Sequence, residues 1–164
     1  MDQWALAWTE DPTWTPEEVE RRVQIATNRQ QRLQDPNFEV IMMLSEAVLR
    51  NHVGSSAVMR DQLARFVEIS ALPNVTVHVV PFRAANPVGP LIGSFTLLEF
   101  PALPATKFQE PPVVYVEGHV GALYLEQEAD VRRYRTAVDR ISRVASDSAQ
   151  SKRLISDVAR EHEG

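Results

Sequence analysis

The sequence LPNVTVHVVPF, from Leu72 to Phe82, is the most informative part of this chain. It begins with a Pro-Asn turn and is closed by Pro81, and turn residues around a run of valines are typical of a β-strand. Side chains alternate between the two faces of a strand, so Val75, Val77 and Val79 share one face. We expect that face to be buried in the core.

A second strand and two helices are predicted before this stretch. Residues 38–44 form a short and almost entirely apolar run, which favours a buried strand over a helix. Ser45 can cap a short helix, and a second helix is predicted from about Ser55 to Leu72. A strand, a helical crossover and another strand predict a parallel pair.

Three more strands and two helices are predicted after it. Residues 83–93 are rich in proline and glycine and are expected to form an exposed or lid-like loop. The sequence Gly118-His119-Val120-Gly121 predicts a tight antiparallel hairpin. The predicted strands are 93–100, 112–117 and 122–126, and the predicted helices are 128–145 and a final one from Asp147.

Together these elements predict the α+β fold class, with a mixed sheet of about five strands flanked by helices and a helical C-terminus. A chain of 164 residues is expected to form a single domain, 1–164. Within it we distinguish a tryptophan-rich N-terminal segment (1–14), a core (15–145) and a C-terminal helix (146–164). Thr15, Pro16 and Glu18 have the capping-box pattern of a helix start.

The composition excludes several kinds of site. The chain has no cysteine, which excludes disulfides and thiolate nucleophiles. Its net charge of -5 repels phosphate backbones, so we expect no direct nucleic-acid binding. Histidines at metal-ligand spacing and phosphate-binding loops are missing from the sequence, so we expect no metal and no cofactor. No stretch approaches the ~18 apolar residues of a membrane span, and we expect a cytoplasmic protein without membrane contact.

Two carboxylates that follow apolar strands are the candidate polar groups of a site. Glu46 comes directly after the first predicted strand, and Glu117 ends a later one, after Tyr115. Ligands usually bind at the carboxyl ends of strands in an open sheet, and paired carboxylates with split pKa values perform acid–base chemistry. Arg50 and Gln62 lie nearby in sequence, so a structural ion-pair network is the competing interpretation. No catalytic residue is assigned.

All three tryptophans lie in the first 14 residues. Trp4 and Trp8 are four residues apart, so a helix would place them on one face. We expect the ligand or partner site between this segment and the loop at 83–93, because large exposed apolar faces and long loops often mark binding sites. The competing interpretation is a plug for the core. The predicted ligand-binding residues are Trp4, Trp8, Glu46, Arg50, Gln62, Tyr115 and Glu117.

A series of short motifs follows in a fixed order. They are Glu46-Ala47-Val48-Leu49-Arg50, Gly54, Met59-Arg60-Asp61-Gln62-Leu63, Leu72-Pro73-Asn74-Val75, Val80-Pro81, Phe95-Thr96-Leu97-Leu98-Glu99 and Val114-Tyr115-Val116-Glu117. Over about residues 17–151 this order resembles the domain of unknown function that follows an N-terminal helix-turn-helix in many actinobacterial transcriptional regulators. The resemblance implies a domain that senses a ligand or a partner, while the helix-turn-helix binds DNA.

The resemblance therefore implies a regulatory function. This sequence begins at Met1 without a helix-turn-helix, so we expect a sensor-type domain without its own DNA reader. Its expected partner is a small hydrophobic ligand or a small protein, and a homodimer is a further expectation. The alternative is a stand-alone biosynthetic enzyme acting on a hydrophobic, natural-product-like small molecule. An apolar pocket lined by tryptophans would favour the enzyme, and a flat apolar face would favour a protein partner.

Overall fold

The computed structural model describes residues 14–85, 88–118 and 121–162. Within them the predicted α+β fold class is confirmed, with five strands and a helical C-terminus. The elements in chain order are α1 (Pro16–Gln31), a 3-10 turn (Arg32–Gln34), β1 (Val40–Ser45), α2 (Glu46–Arg50), α3 (Ser56–Ile69), β2 (Val75–Val80), α4 (Val88–Ile92), β3 (Thr96–Leu98), β4 (Val113–Gly118), β5 (Gly121–Leu125), α5 (Glu128–Ser142) and α6 (Ser148–Glu161).

The described residues group into two compact units. The first unit comprises those up to Arg83 together with those from Ala145, and the second comprises those from Ala84 to Val144. The predicted single domain over 1–164 stays a prediction. No helix in the described ranges is both long enough and apolar enough to cross a membrane.

The core of the first unit forms around β2. This strand pairs in parallel with β1, and Val77 lies opposite Met42. Val77 and Val79 are fully buried, and Val75 is nearly so, as the valine alternation predicts. Helices α2, α3 and α6 contribute the other buried side chains of this cluster, which are Leu49, Leu63, Ile155 and Val158.

The Pro-Asn turn before β2 also fixes the entry into β1. Asn74 Nδ2 lies 3.2, 3.1 and 2.9 Å from the carbonyl oxygens of Leu33, Asp35 and Phe38. The half-buried side-chain amide of Asn74 thus donates hydrogen bonds to three carbonyls of the segment between α1 and β1. The sequence indicated a turn at this asparagine, but not this contact across about forty residues.

The edge of β2 away from β1 is covered by Ser146, just before α6, and by Ser151, in the first turns of α6. The Val79 N–H donates to Ser151 Oγ at 2.8 Å, and its carbonyl accepts from the Ser146 N–H at 2.8 Å. His78 Nδ1 lies 2.9 Å from the Ser146 carbonyl oxygen, so this histidine is a satisfied strand residue. Because these backbone groups are already paired, they are not available to a third strand, and none of the described strands adds to β2 there.

The expected mixed sheet of about five strands is wrong, because the five described strands form two sheets. Within the described ranges, β1 and β2 form one parallel sheet, and β3, β4 and β5 form a separate antiparallel one. The sequence indicated which segments are strands. It did not indicate that Ser146 and Ser151 would form hydrogen bonds with the edge of β2.

The sheet of the second unit packs one face against α5. Leu97, Val114 and Leu125 lie opposite one another in the register and share that face. Phe95, two residues before Leu97, contacts Tyr134 of α5 with ring centroids 4.8 Å apart. The predicted β4–β5 hairpin is confirmed, although its turn residues 119 and 120 lie outside the described ranges.

Two local predictions were wrong in detail. The predicted loop at 83–93 contains α4, because Val88, Leu91 and Ile92 recur at helical spacing. Val88 and Ile92 are half-buried where α4 packs on α5, while Leu91 stays exposed. The strand predicted at 38–44 is not fully buried, because Ile41 is 67% exposed while Met42 and Leu44 face the core.

Candidate functional site

The carboxyl end of the parallel pair holds Glu46 and Arg50, two of the predicted site residues. Glu46 begins α2, and its Oε1 accepts a hydrogen bond from Arg50 Nε at 2.9 Å. Its Oε2 accepts the backbone N–H of Phe82, just beyond β2, at 2.9 Å. Arg50 Nη1 also donates to Glu161 Oε2 at 2.7 Å. Glu46 thus joins the ends of the two strands, and Arg50 joins α2 to α6.

These contacts keep Glu46 ionised. Burial raises the pKa of this carboxyl, but the Phe82 N–H and the Arg50 guanidinium outweigh burial, and the pKa lies below the usual glutamate value. The hydrogen bond to Glu46 in turn raises the pKa of Arg50. A general acid at neutral pH needs a raised carboxyl pKa. This geometry supports the ion-pair interpretation of Glu46 over a role in proton transfer.

Tyr115 and Glu117 lie together in the second unit. They are two residues apart on β4 and therefore point to the same face of the sheet. The Tyr115 ring packs on Tyr124 of β5, with ring centroids 5.2 Å apart. Because Glu46 belongs to the first unit, its predicted convergence with Glu117 stays a prediction.

Of the remaining predicted site residues, Gln62, Trp4 and Trp8, only Gln62 lies among the described residues. Gln62 is half-buried on α3. Trp4 and Trp8 lie outside the described residues, so the predicted site between them and residues 83–93 stays a prediction. In the part of the chain that the structure describes, no three His, Cys, Asp or Glu side chains are grouped as a metal site.

An open groove between α4 and α5, in the second unit, is the candidate binding site. Its volume is about 350 Å³, which is near the lower end of the ~300–1,000 Å³ typical of small-molecule sites. Its apolar lining comes from Val88, Leu91, Ile92 and Ala137. Leu91 is 88% exposed, an unusual state for a large apolar side chain beside a cavity.

The rim of the groove is basic. Arg133 and Arg140 line it, seven residues and about two helical turns apart on α5. Thr136 and Tyr134 complete the polar part of the lining. Carboxylates are missing from the described residues that line the groove. The site thus combines an apolar floor with a positive rim.

A second groove of about 350 Å³ in the same unit has a different character. Glu110, Glu126 and Glu128 line it, and its one arginine, Arg135, pairs with Glu99 at 2.6 Å. The acidic lining and the engaged arginine make it a poorer candidate than the α4–α5 groove.

Strand β5 presents a further exposed apolar surface. It pairs with β4 on one side, and the other side has no neighbouring strand among the described residues. Leu123 is 60% and Tyr124 67% exposed. Exposed apolar edge strands are sites where another chain can pair.

The family follows from a direct comparison. Over residues 1–157 the chain matches the family described as a domain of unknown function (DUF5753). The chain belongs to this family. The resemblance predicted from the order of the motifs is thereby confirmed for the domain itself, and its link to a helix-turn-helix stays a prediction. No curated protein and no solved structure matches the chain.

In this member of the family, only a weak pattern in the sequence indicates the groove. Val88, Leu91 and Ile92 have helical spacing, but Gly89 and Pro90 interrupt them and favour a loop. On α5, the two rim arginines stand among other arginines that are solvated. Only the packing of α4 on α5 distinguishes the arginines of the groove from the rest.

Proposed function

We propose that this chain is a ligand- or partner-binding regulatory domain of the sensor type, and that it binds through the α4–α5 groove. The observation that carries the proposal is the exposed Leu91 beside a cavity with an apolar floor and a polar rim. An apolar lining with a few polar groups at its rim is the usual make-up of a small-molecule site. The regulatory part of the proposal rests on the resemblance to helix-turn-helix regulators.

The exposed side chain of Leu91 is expected to contribute to binding through the hydrophobic effect. A leucine side chain that passes from water to a fully buried state contributes roughly 1.5–3 kcal/mol. Leu91 is 88% exposed without a ligand, so nearly all of this contribution is available to binding. An apolar ligand body over Leu91 is therefore expected to bind through this side chain.

The test uses the neutral fluorescent probe N-phenyl-1-naphthylamine, whose emission rises in apolar surroundings. The wild-type chain is expected to bind it saturably, and Leu91→Ser is expected to weaken binding about tenfold, which corresponds to ~1.4 kcal/mol. Leu103→Ser is the matched control, because Leu103 is 52% exposed and does not line the groove. Both variants are expected to melt like the wild type.

Two results would contradict the proposal. One is equal affinity of Leu91→Ser and Leu103→Ser for the probe, which would place binding outside the groove. The other is the absence of saturable binding to the wild type.

Strand β5 supports a second candidate, a protein partner or a second copy of the chain. Tyr124 and Leu123 are exposed next to an edge that has no neighbouring strand among the described residues. Sedimentation velocity tests the homodimer: association of the wild type at rising concentration should be lost in Tyr124→Lys. Identical sedimentation of the two chains would count against it. The enzymatic alternative stays a prediction, because no observation in the described residues favours it.

A further inference from the structure

We infer that the ligand of the α4–α5 groove is a small amphipathic anion, with a carboxylate head held by Arg140 and an apolar body on Leu91. This inference rests on the proposed function and names the chemical class of the ligand. It comes from the charges of the rim, whereas the proposed function comes from the apolar floor.

Arg140 is the free cation of the rim. Its guanidinium takes part in none of the ion pairs or side-chain hydrogen bonds among the described residues. The other three arginines of α5 each have an acidic partner. The ion pairs are Arg132–Glu128 at 3.6 Å, Arg133–Asp130 at 3.5 Å and Arg135–Glu99 at 2.6 Å. A guanidinium beside a cavity binds a carboxylate through two parallel hydrogen bonds.

The spacing along α5 assigns the two ends of the ligand. Arg133 and Arg140 are separated by about 10 Å along the helix axis, too far for one carboxylate to bridge. The head group therefore pairs with Arg140, while Arg133 adds positive potential and remains near Asp130. Between them lies Ala137, whose small side chain leaves room for an apolar body.

The apolar body packs toward α4. Val88, Leu91 and Ile92 of α4 form most of the apolar floor of the groove. A cationic amphiphile would meet two arginines and no carboxylate among the lining residues, so the rim selects against it. A neutral amphiphile would use the floor but not the rim. An anionic amphiphile uses both.

The test compares octanoate with 1-octanol, which have the same chain length and differ in the charge of the head group. Each displaces N-phenyl-1-naphthylamine from the wild-type chain, and octanoate is expected to bind about fivefold more tightly, the upper end for an ion pair at a partly open site. The difference is expected to shrink as ionic strength rises, because salt screens the pair.

Arg140→Gln is the decisive variant, and Arg132→Gln is its matched control. Both positions lie on α5, but Arg132 does not line the groove. Arg140→Gln is expected to remove the preference for octanoate and to leave octanol binding unchanged. Arg132→Gln is expected to keep the fivefold preference.

The outcomes separate this inference from the proposed function. If octanol and octanoate displace the probe equally from the wild type, or if Arg140→Gln and Arg132→Gln behave alike, the anion inference is overturned and the groove remains a site for neutral ligands. If neither compound displaces the probe and Leu91→Ser has no effect, both the inference and the proposed function fail.

Discussion

Ser151→Ala tests the contact that closes the edge of β2. Ser151 is fully buried, and its Oγ accepts the Val79 N–H at 2.8 Å. The hydroxyl also donates to the Ser146 carbonyl at 3.3 Å. Alanine fits the same space, but it leaves the Val79 N–H without an acceptor in the core.

The expected cost follows from this orphaned donor. A buried N–H without a partner costs ~1–3 kcal/mol, while alanine gains ~0.5 kcal/mol of helix propensity over serine. Ser156→Ala is a matched control with the same propensity gain, because Ser156 Oγ only donates to the Lys152 carbonyl of its own helix. The difference between the variants isolates the contact with Val79.

Urea unfolding followed by circular dichroism measures this difference. We expect Ser151→Ala to be less stable than Ser156→Ala by about 2 kcal/mol, a shift of ~1 M in the urea midpoint at a slope of ~2 kcal/mol per M. Stabilities of the two variants within about 0.5 kcal/mol of each other would refute the argument that this serine closes the edge of the sheet.

Three further predictions concern the first unit. Val77→Asp is expected to unfold the chain or to lower its stability by several kcal/mol, because Val77 is fully buried. In thermal melts the control Val48→Asp, at a position 50% exposed, should change the melting temperature little. Similar melting temperatures for both variants would contradict the strand register. Asn74→Ala is expected to lower the free energy of unfolding by ~1–2 kcal/mol, because three carbonyls lose their donor. An unchanged midpoint in urea unfolding would show that the Asn74 amide does not stabilise this segment. The pKa of Glu46 is lower in the folded chain than in the unfolded chain, so its contribution to stability is present above the unfolded pKa and is lost as pH falls through the folded pKa. The melting temperature of Glu46→Gln should therefore depend less on pH in this acidic range than that of the wild type. Equal pH dependence of the two melting temperatures would contradict the ion pair.

Local patterns predicted most of the elements. The valine alternation from Val75 to Val79 predicted the strand and its buried face, and the capping box is present, with Glu18 Oε2 accepting the Thr15 N–H at 2.9 Å. Both depend on residues within a few positions of each other. Such short-range chemistry is visible in a sequence.

Contacts between distant residues were not predicted. The edge of β2 is taken by Ser146 and Ser151, about seventy residues away, and no local pattern indicates that pairing. The same holds for the groove, because Arg140 resembles every other arginine of α5 until α4 packs beside it. The carboxylate of Glu46 was placed correctly at a strand end, but its partners, Phe82 and Arg50, occupy both of its oxygens.

Amide chemical-shift mapping shows whether the α4–α5 groove is the binding site. A titration of the nitrogen-15-labelled chain with N-phenyl-1-naphthylamine reports the binding surface residue by residue. We expect the saturable shifts to concentrate in residues 88–92 of α4 and 133–140 of α5. Saturable shifts concentrated instead in the first unit, at residues 46–50 and 75–82, would contradict it.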